Sequence, residues 1–330
     1  MKQLSIIIPV YNVEKYIRPC MESIFRQGLD EECYEVIIVN DGTQDRSMEV
    51  IDDIISHHNN ITVINQENQG LSVARNNGIA AATGEYIIMP DSDDLLVENS
   101  LKPLLEKALE TKADLIVSDF LSIRDQEIEE MHLHIPQQIA PVYVEKTGEQ
   151  LFIEDLDPYH CYVWRTLYRR EFIIKNKLSF FPGIFIQDVP FTHECYLKAN
   201  KCIRASWLLN IYRRGRNESA TFSFSKKKAK DFCTAIAKTW DLTHLSNLSP
   251  KVLYKLQEDV YTSFSALLWI ITHKIDKASD RIDIIDFLKQ KAPDLCFRNG
   301  IKQKIDSFMY SHLPHLFIHL HYIYDTICRK

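Results

Sequence analysis

Apolar residues in the first 120 positions fall into short β-branched runs, at LSIII (4–8), YEVIIVN (34–40), ITVI (61–64), EYIIM (85–89) and ADLIVSDF (113–120). Near-continuous apolar runs of this length read as strands covered on both faces. Between them the period lengthens. Ile17, Met21, Ile24 and Phe25 repeat at helical spacing within residues 14–27, and Met48, Ile51, Ile54 and Ile55 do so within residues 44–57. Because crossover helices are the usual link between parallel strands, the alternation predicts an α/β fold with a mostly parallel sheet flanked by helices. From about residue 226 the pattern changes to long helical periods rich in Lys, Ile, Leu and aromatics. Two parts are expected: residues 1–225 with the sheet, and residues 226–330 as a helical C-terminal subdomain.

Open α/β sheets bind ligands beyond the carboxyl ends of their strands. The segments that follow the first four runs are PVYN, NDGTQD, NQENQG and PDSDD, all polar and turn-rich. Any strand-to-helix connection needs such residues. Their joint placement at one sheet edge is what marks the edge as a site.

Composition narrows the classes. A chain of 330 residues with 45% hydrophobic and 25% charged content can bury a full core. The apolar start is too short for a signal peptide, and FSALLWIITHKI reaches a charge well before the roughly 18 apolar residues that a bilayer crossing needs. A cytoplasmic location is expected. The eight cysteines are scattered without a CxxC, which favours reduced thiols over disulfides or zinc. The net charge of −6 divides unevenly: residues 226–330 carry 17 Lys and Arg against 11 Asp and Glu, so the preceding part stands at −12. An acidic front argues against a nucleic-acid partner; the basic tail could meet an anionic membrane, another subunit or solvent. His315 and His319 have i, i+4 spacing but no acid between them, and read as amphipathic packing rather than a metal site.

Asp91, Asp93 and Asp94 crowd three carboxylates into four positions. Such crowding costs free energy unless a proton or cation sits among the groups. Their hard oxygens suit Mg²⁺ or Mn²⁺. Two other readings remain. The acids could open a helix over LLVENSLKPLLEKALE. They could also belong to a haloacid-dehalogenase-type phosphatase, although Leu95 stands where that pattern wants Thr or Val. No GxGxxG or GxxxxGK[ST] occurs.

SIIIPVYN, VNDGTQD, NQGLSVARNNGI, PDSDD and FIQDVPF, in this order over about residues 3–220, resemble the motifs of bacterial family-two glycosyltransferases of the GT-A fold. The resemblance implies inverting transfer of a sugar from a nucleotide diphosphate to an acceptor hydroxyl, with Mn²⁺ or Mg²⁺. It implies that Pro9 and Tyr11 cover the base and that Asp41 meets its N3–H, which uracil offers and cytosine lacks, so that UDP or dTDP donors follow. Asn68 and Arg75 match positions near the nucleotide. Asp91 and Ser92 match the ribose or metal-water position, and Asp93 the direct metal ligand, with Asp94 left to cap a helix. Asp188 matches the base that deprotonates the acceptor. Arg213, Arg214, Arg216 and Ser219 match a lid over the donor phosphates.

Each role has a plainer alternative: an Asx turn for Asp41, core packing for Tyr11, a helix ion pair for Arg75, an N-cap for Asp188 and a solvated basic loop for the lid. Two positions depart from the family. Gln187 replaces a common Glu, and Thr166 replaces a frequent Lys, with Arg165 beside it. The expected activity is hexosyl or N-acetylhexosaminyl transfer from a UDP-sugar to a glycan or lipid-linked glycan, in synthesis of a bacterial capsule, O-antigen or exopolysaccharide. The alternative, prompted by the two departures, is a non-catalytic UDP-binding scaffold of a polysaccharide assembly complex. The C-terminal helices are expected to give either peripheral contact with the inner membrane face or a homo-oligomer.

Overall fold

The structure is a computed structural model that describes residues 2–128, 138–184, 186–215 and 225–328. The chain forms two compact units, and they interleave along the sequence. The first comprises residues 1–151, 162–182 and 195–219; the second comprises residues 152–161, 183–194 and 220–330. The helical region expected from residue 226 therefore shares its unit with two short earlier segments.

The first unit begins with β1 (Leu4–Val10), α1 (Ile17–Phe25), β2 (Tyr34–Asn40), α2 (Asp52–His57), β3 (Ile61–Asn65), α3 (Leu71–Ala81), β4 (Tyr86–Ile88), β5 (Leu95–Leu96) and α4 (Leu101–Thr111). It continues with β6 (Leu115–Arg124), β7 (Val142–Lys146), α5 (Gly148–Glu154), β8 (Thr166–Arg169), α6 (Arg170–Lys175), α7 (Asp188–Lys198) and β9 (Cys202–Arg214), the helices α5 and α7 each running across a boundary between the units. The strands form one nine-stranded sheet in the order β3-β2-β1-β4-β8-β6-β9-β5, with β7 also paired to β9.

The N-terminal half is parallel, as the apolar runs predict: β1 pairs with β2 and β4, and β2 with β3. Beyond β4 the sheet is mixed. There β8 runs antiparallel to β4 and β6, and β9 is parallel to β6 but antiparallel to β5 and β7. Alternate residues of β1 face opposite layers. Leu4, Ile6, Ile8 and Val10 join α1 and α4 in one core cluster, whereas Ile7 lies against Gly78 of α3 on the other side.

Two expectations about helices change. Residues 44–57 form an α-helix only over their last six positions, after a single 3-10 turn at Glu49–Ile51. The Asp45 carboxylate is the reason, because it accepts hydrogen bonds from Thr43 Oγ1 (2.7 Å), the Ser47 hydroxyl and N–H, and Glu14 N–H (2.9 Å). A loop held so firmly cannot wind into a helix. Likewise the acids at 91–94 do not open a helix. Leu95 and Leu96 are captured as β5 by the edge of β9, and α4 starts only at Leu101.

The second unit contains α8 (Lys226–Asp241), α9 (Pro250–Lys274), α10 (Ala278–Lys291), α11 (Ile301–His312) and α12 (Pro314–Cys328). The α9 start follows capping chemistry: the Ser249 hydroxyl accepts the Val252 N–H, and Pro250 occupies the first turn, where its missing N–H is harmless. Phe264, Phe297, Tyr310 and Phe317 stack at the centre of this unit's core. No helix among the described residues is long and apolar enough to cross a membrane. Cys20, Cys33, Cys161, Cys195, Cys202, Cys233 and Cys296 carry free thiols, and His315 faces Asp286 at 2.8 Å instead of His319.

Candidate active site

Since β1, β2, β3 and β4 run parallel, the loops after them emerge at one edge of the first unit. The loop after β2 is joined to the loop after β3 through Asp41. This carboxylate is buried, and it accepts Gln66 Nε2 and Gln69 N–H on Oδ1, both at 2.8 Å, and Gly70 N–H on Oδ2 at 2.9 Å. Gly42 has φ +67, and a Cβ there would meet the Asn68 backbone nitrogen at 2.9 Å. Only glycine allows so close an approach. Gly70, at φ +87, turns the chain into α3. Pro9 is buried within β1, whereas Tyr11 is 43% exposed and so does not pack in the core, and Asn68 is exposed.

From α3, Arg75 projects inward and is only 2% exposed. Its Nη2 pairs with Asp91 Oδ1, and its guanidinium lies 5.3 Å from the centre of the Phe180 ring. Asn76 holds residue 180 in place, accepting Phe180 N–H (2.9 Å) and donating to its carbonyl (2.8 Å). This is not the exposed helix ion pair that periodicity permits. Arg75 positions Asp91 from below.

Asp91, Asp93 and Asp94 each bring a carboxylate oxygen within 4.8 Å of the others, the one cluster among the described residues with the spacing to hold a metal ion. The turn is closed by Asp94 N–H donating to the Asp91 carbonyl at 3.1 Å. Ser92 is buried in it. Asp94 does not cap a helix, since its Oδ1 accepts the backbone N–H of Arg213 at 2.8 Å. Arg213 is buried at the end of β9. Its Nε donates to the Asp93 carbonyl (2.9 Å), its Nη1 meets Asp125 Oδ1 (2.5 Å), and its guanidinium lies 4.8 Å from the Tyr16 ring centre. Among the lid candidates, Arg213 is thus a clamp on the acidic turn. Arg214 is exposed, and Arg216 and Ser219 lie outside the described residues. Behind the turn, burial and then the charges of Asp94, Asp93 and Asp91 push the Cys20 thiol well up.

Hard carboxylate oxygens on a turn pinned by Arg75 and Arg213 fit a divalent cation that keeps water and phosphate in its remaining positions. Asp91 and Asp93, half-buried and open to solvent on one side, are the groups that would hold it.

Asp188 belongs to the second unit, where it is the first residue of α7, half-buried, with Oδ1 accepting the Val189 N–H at 3.1 Å. The adjacent Gln187 is buried, and its Oε1 meets no donor among the described residues. Beneath this turn His193 is fully buried: Nδ1 donates to the Val189 carbonyl (2.8 Å), and Nε2 lies 3.3 Å from Asp259, which also binds Lys255 at 2.8 Å. Burial, followed by the charges of Asp188 and Asp259, pushes the neighbouring Cys161 thiol well up.

In the first unit, Thr166 is buried at the start of β8 and Arg165 donates from Nε to the Ser118 carbonyl at 2.8 Å. Arg165 is committed to β6 there. Asp45, Asp125 and Phe180 escaped sequence reasoning, as did the chain of His193, Asp259 and Lys255. Asp45 alone had a local signal, lying in NDGTQD between residues able to donate to it.

The family model described as glycosyl transferase family 2 matches residues 5–176. The uncharacterized glycosyltransferase EpsJ of Bacillus subtilis is 37% identical over 218 residues, which is 65% of this chain and 62% of EpsJ. The poly(ribitol-phosphate) beta-glucosyltransferase of Bacillus spizizenii is 24% identical over 99% of this chain and 49% of its own length. The chain thus spans less than two thirds of either relative. Among solved structures, S. aureus TarS 1-349 in complex with UDP superposes with a TM-score of 0.71 at 19% identity, covering 97% of this chain and 88% of TarS 1-349. The same fragment has been solved in complex with UDP-GlcNAc, with a TM-score of 0.70 at 18% identity. The fold is shared.

Proposed function

The chain belongs to glycosyl transferase family 2, and on that premise we propose that it moves a hexosyl or N-acetylhexosaminyl group from a UDP-sugar to an acceptor hydroxyl with inversion. The observation that carries this reading is the acidic turn at 91–94, buttressed by Arg75 and Arg213 beside the Asp41 loop at one sheet edge. TarS holds UDP and UDP-GlcNAc, and the Bacillus spizizenii relative is a poly(ribitol-phosphate) beta-glucosyltransferase, which supports a UDP donor and a surface polymer or its lipid-linked precursor as acceptor.

Asp41 has one oxygen with a single donor, so it retains a lone pair for the N3–H of uracil. Tyr11 offers an exposed ring for the base, and Asn68 an exposed amide for the nucleotide. Asp91 and Asp93 would hold Mn²⁺ or Mg²⁺, which supplies positive charge for the departing diphosphate. Arg75 keeps the Asp91 carboxylate aimed outward. Asp188 takes the acceptor proton as the hydroxyl attacks the face opposite the nucleotide. Gln187 is buried beside Asp188 and leaves it without a second carboxylate next to it.

The test is UDP release from UDP-GlcNAc and UDP-glucose with Mn²⁺ and lipid-linked acceptors. Asp188→Asn should lower turnover at least about a hundredfold while UDP affinity stays within about threefold. Asp93→Ala should abolish metal-dependent UDP binding. Full turnover in Asp188→Asn would remove that residue from the role of base. Metal-dependent UDP binding by the parent chain without transfer to any acceptor of a broad panel would favour the scaffold reading.

A further inference from the structure

The helix α11 is built inside out. Its buried positions are Gln303, Asp306, Ser307 and Tyr310, of which the first three are polar, while Ile301, Ile305 and Phe308 stand 81%, 56% and 57% exposed. The buried polar groups are satisfied within the unit. Gln303 Nε2 donates to Glu258 (2.7 Å), Tyr261 donates to Asp306 (2.7 Å), and the Ser307 hydroxyl accepts the Phe297 N–H. A helix of an ordinary globular surface has the opposite pattern.

Exposed apolar residues recur through the following helix. Leu313 joins α11 to α12 and is 44% exposed, and Leu316, Leu320, Ile323 and Tyr324 follow at 47%, 48%, 40% and 67%. Eight large apolar side chains exposed on two successive helices and their joint point to an interaction face. From residue 298 through α12 the exposed Lys and Arg among the described side chains are Arg298, Lys302 and Lys304; Asp306 is buried, half-buried Asp325 accepts the Thr272 hydroxyl, and the nearby Asp286 is paired with His315.

We propose that the outer face of α11 and α12 docks peripherally on an anionic lipid bilayer. Apolar side chains enter the acyl boundary, lysines reach along their stems to the headgroups, and helices of 12 and 15 residues lie in the interface because they are too short to span it. Charge selects this occupant over a second copy of the chain. A two-fold contact would set the cationic face against itself, whereas lipid phosphates complement it. The inference is independent of the donor proposed above.

The experiment is co-sedimentation of the full chain at low salt with vesicles of phosphatidylcholine alone or with about one third phosphatidylglycerol. Binding should be confined to the anionic vesicles and should fall as salt rises. Lys302→Gln with Lys304→Gln should lower the partition coefficient about 25-fold. Ile305→Ser with Phe308→Ser should lower it at least about tenfold. Both variants should keep the parent's UDP affinity and thermal midpoint. Should the apolar variant fail to fold, the lysine variant, which changes only exposed ammonium groups, carries the test. The proposal is overturned if neither vesicle binds the parent, if both bind it equally, if the variants bind like the parent, or if sedimentation velocity reveals a dimer that Ile305→Ser with Phe308→Ser dissociates.

Discussion

Arg75 and Asp91 define a double-mutant cycle whose size follows from unequal burial. The Arg75 side chain is 2% exposed and that of Asp91 30%, so only the carboxylate can recover water when its partner is removed. Two unit charges about 4 Å apart attract by about 4 kcal/mol at an effective dielectric of about 20, and the open side of Asp91 should reduce this by about half. A coupling energy of about 2 kcal/mol is expected. Arg75→Met also loses the contact with Phe180, worth about 1 kcal/mol, and should destabilise the first unit by about 3 kcal/mol in all. Asp91→Asn leaves a buried guanidinium without its counter-charge but relieves repulsion from Asp93 and Asp94, for a net cost of about 2 kcal/mol. The double variant should then cost about 3 kcal/mol rather than about 5. Urea unfolding with chelator present, followed by near-ultraviolet circular dichroism, measures all four corners. Coupling below about 0.5 kcal/mol would refute the pairing as a structural brace. Calorimetry adds a functional arm. If Arg75 acts by holding Asp91 for the metal, Arg75→Met weakens UDP only when Mn²⁺ is present, whereas a direct phosphate contact would weaken UDP with chelator present as well.

Gly42→Ala should destabilise by about 1–3 kcal/mol, because the left-handed φ and the 2.9 Å approach to the Asn68 nitrogen leave no room for a methyl group; an unchanged melting midpoint would contradict this. Asp259→Ala should cost about 3 kcal/mol in denaturant unfolding by stranding buried His193 and half-buried Lys255, with Asp259→Asn falling between it and the parent. Burial raises the Glu35 carboxyl, yet hydrogen bonds from Ser5, the Thr83 N–H and hydroxyl, and Gly84 hold it below the ordinary range. The stability it contributes is therefore present above the ordinary carboxylate pKa of about 4.3 and lost as pH falls through its lower folded value. Glu35→Gln should flatten that part of the melting-temperature profile; an identical slope would count against the assignment.

The chain's local chemistry determined a good deal by itself. Apolar runs announced β1 to β4 and β6, helical periods announced α1 and the short α2, and the polar segments after each strand announced the edge where a ligand would bind, because strand length, side-chain period and turn composition are properties of neighbouring residues. The order of five motifs carried the family. What only the tertiary structure decided are the partners separated by long stretches of chain. Asp94 could not be read as the acceptor of an Arg213 N–H, nor Arg75 as a buried brace on Asp91 over Phe180, because those contacts exist only once β9 and residues 162–182 close on the first four strands. The same holds for α11. Its sequence shows an amphipathic helix, and only packing against α9 reveals that the polar side is the buried one, since which face of a helix meets the core is set by the surface waiting for it and not by the helix.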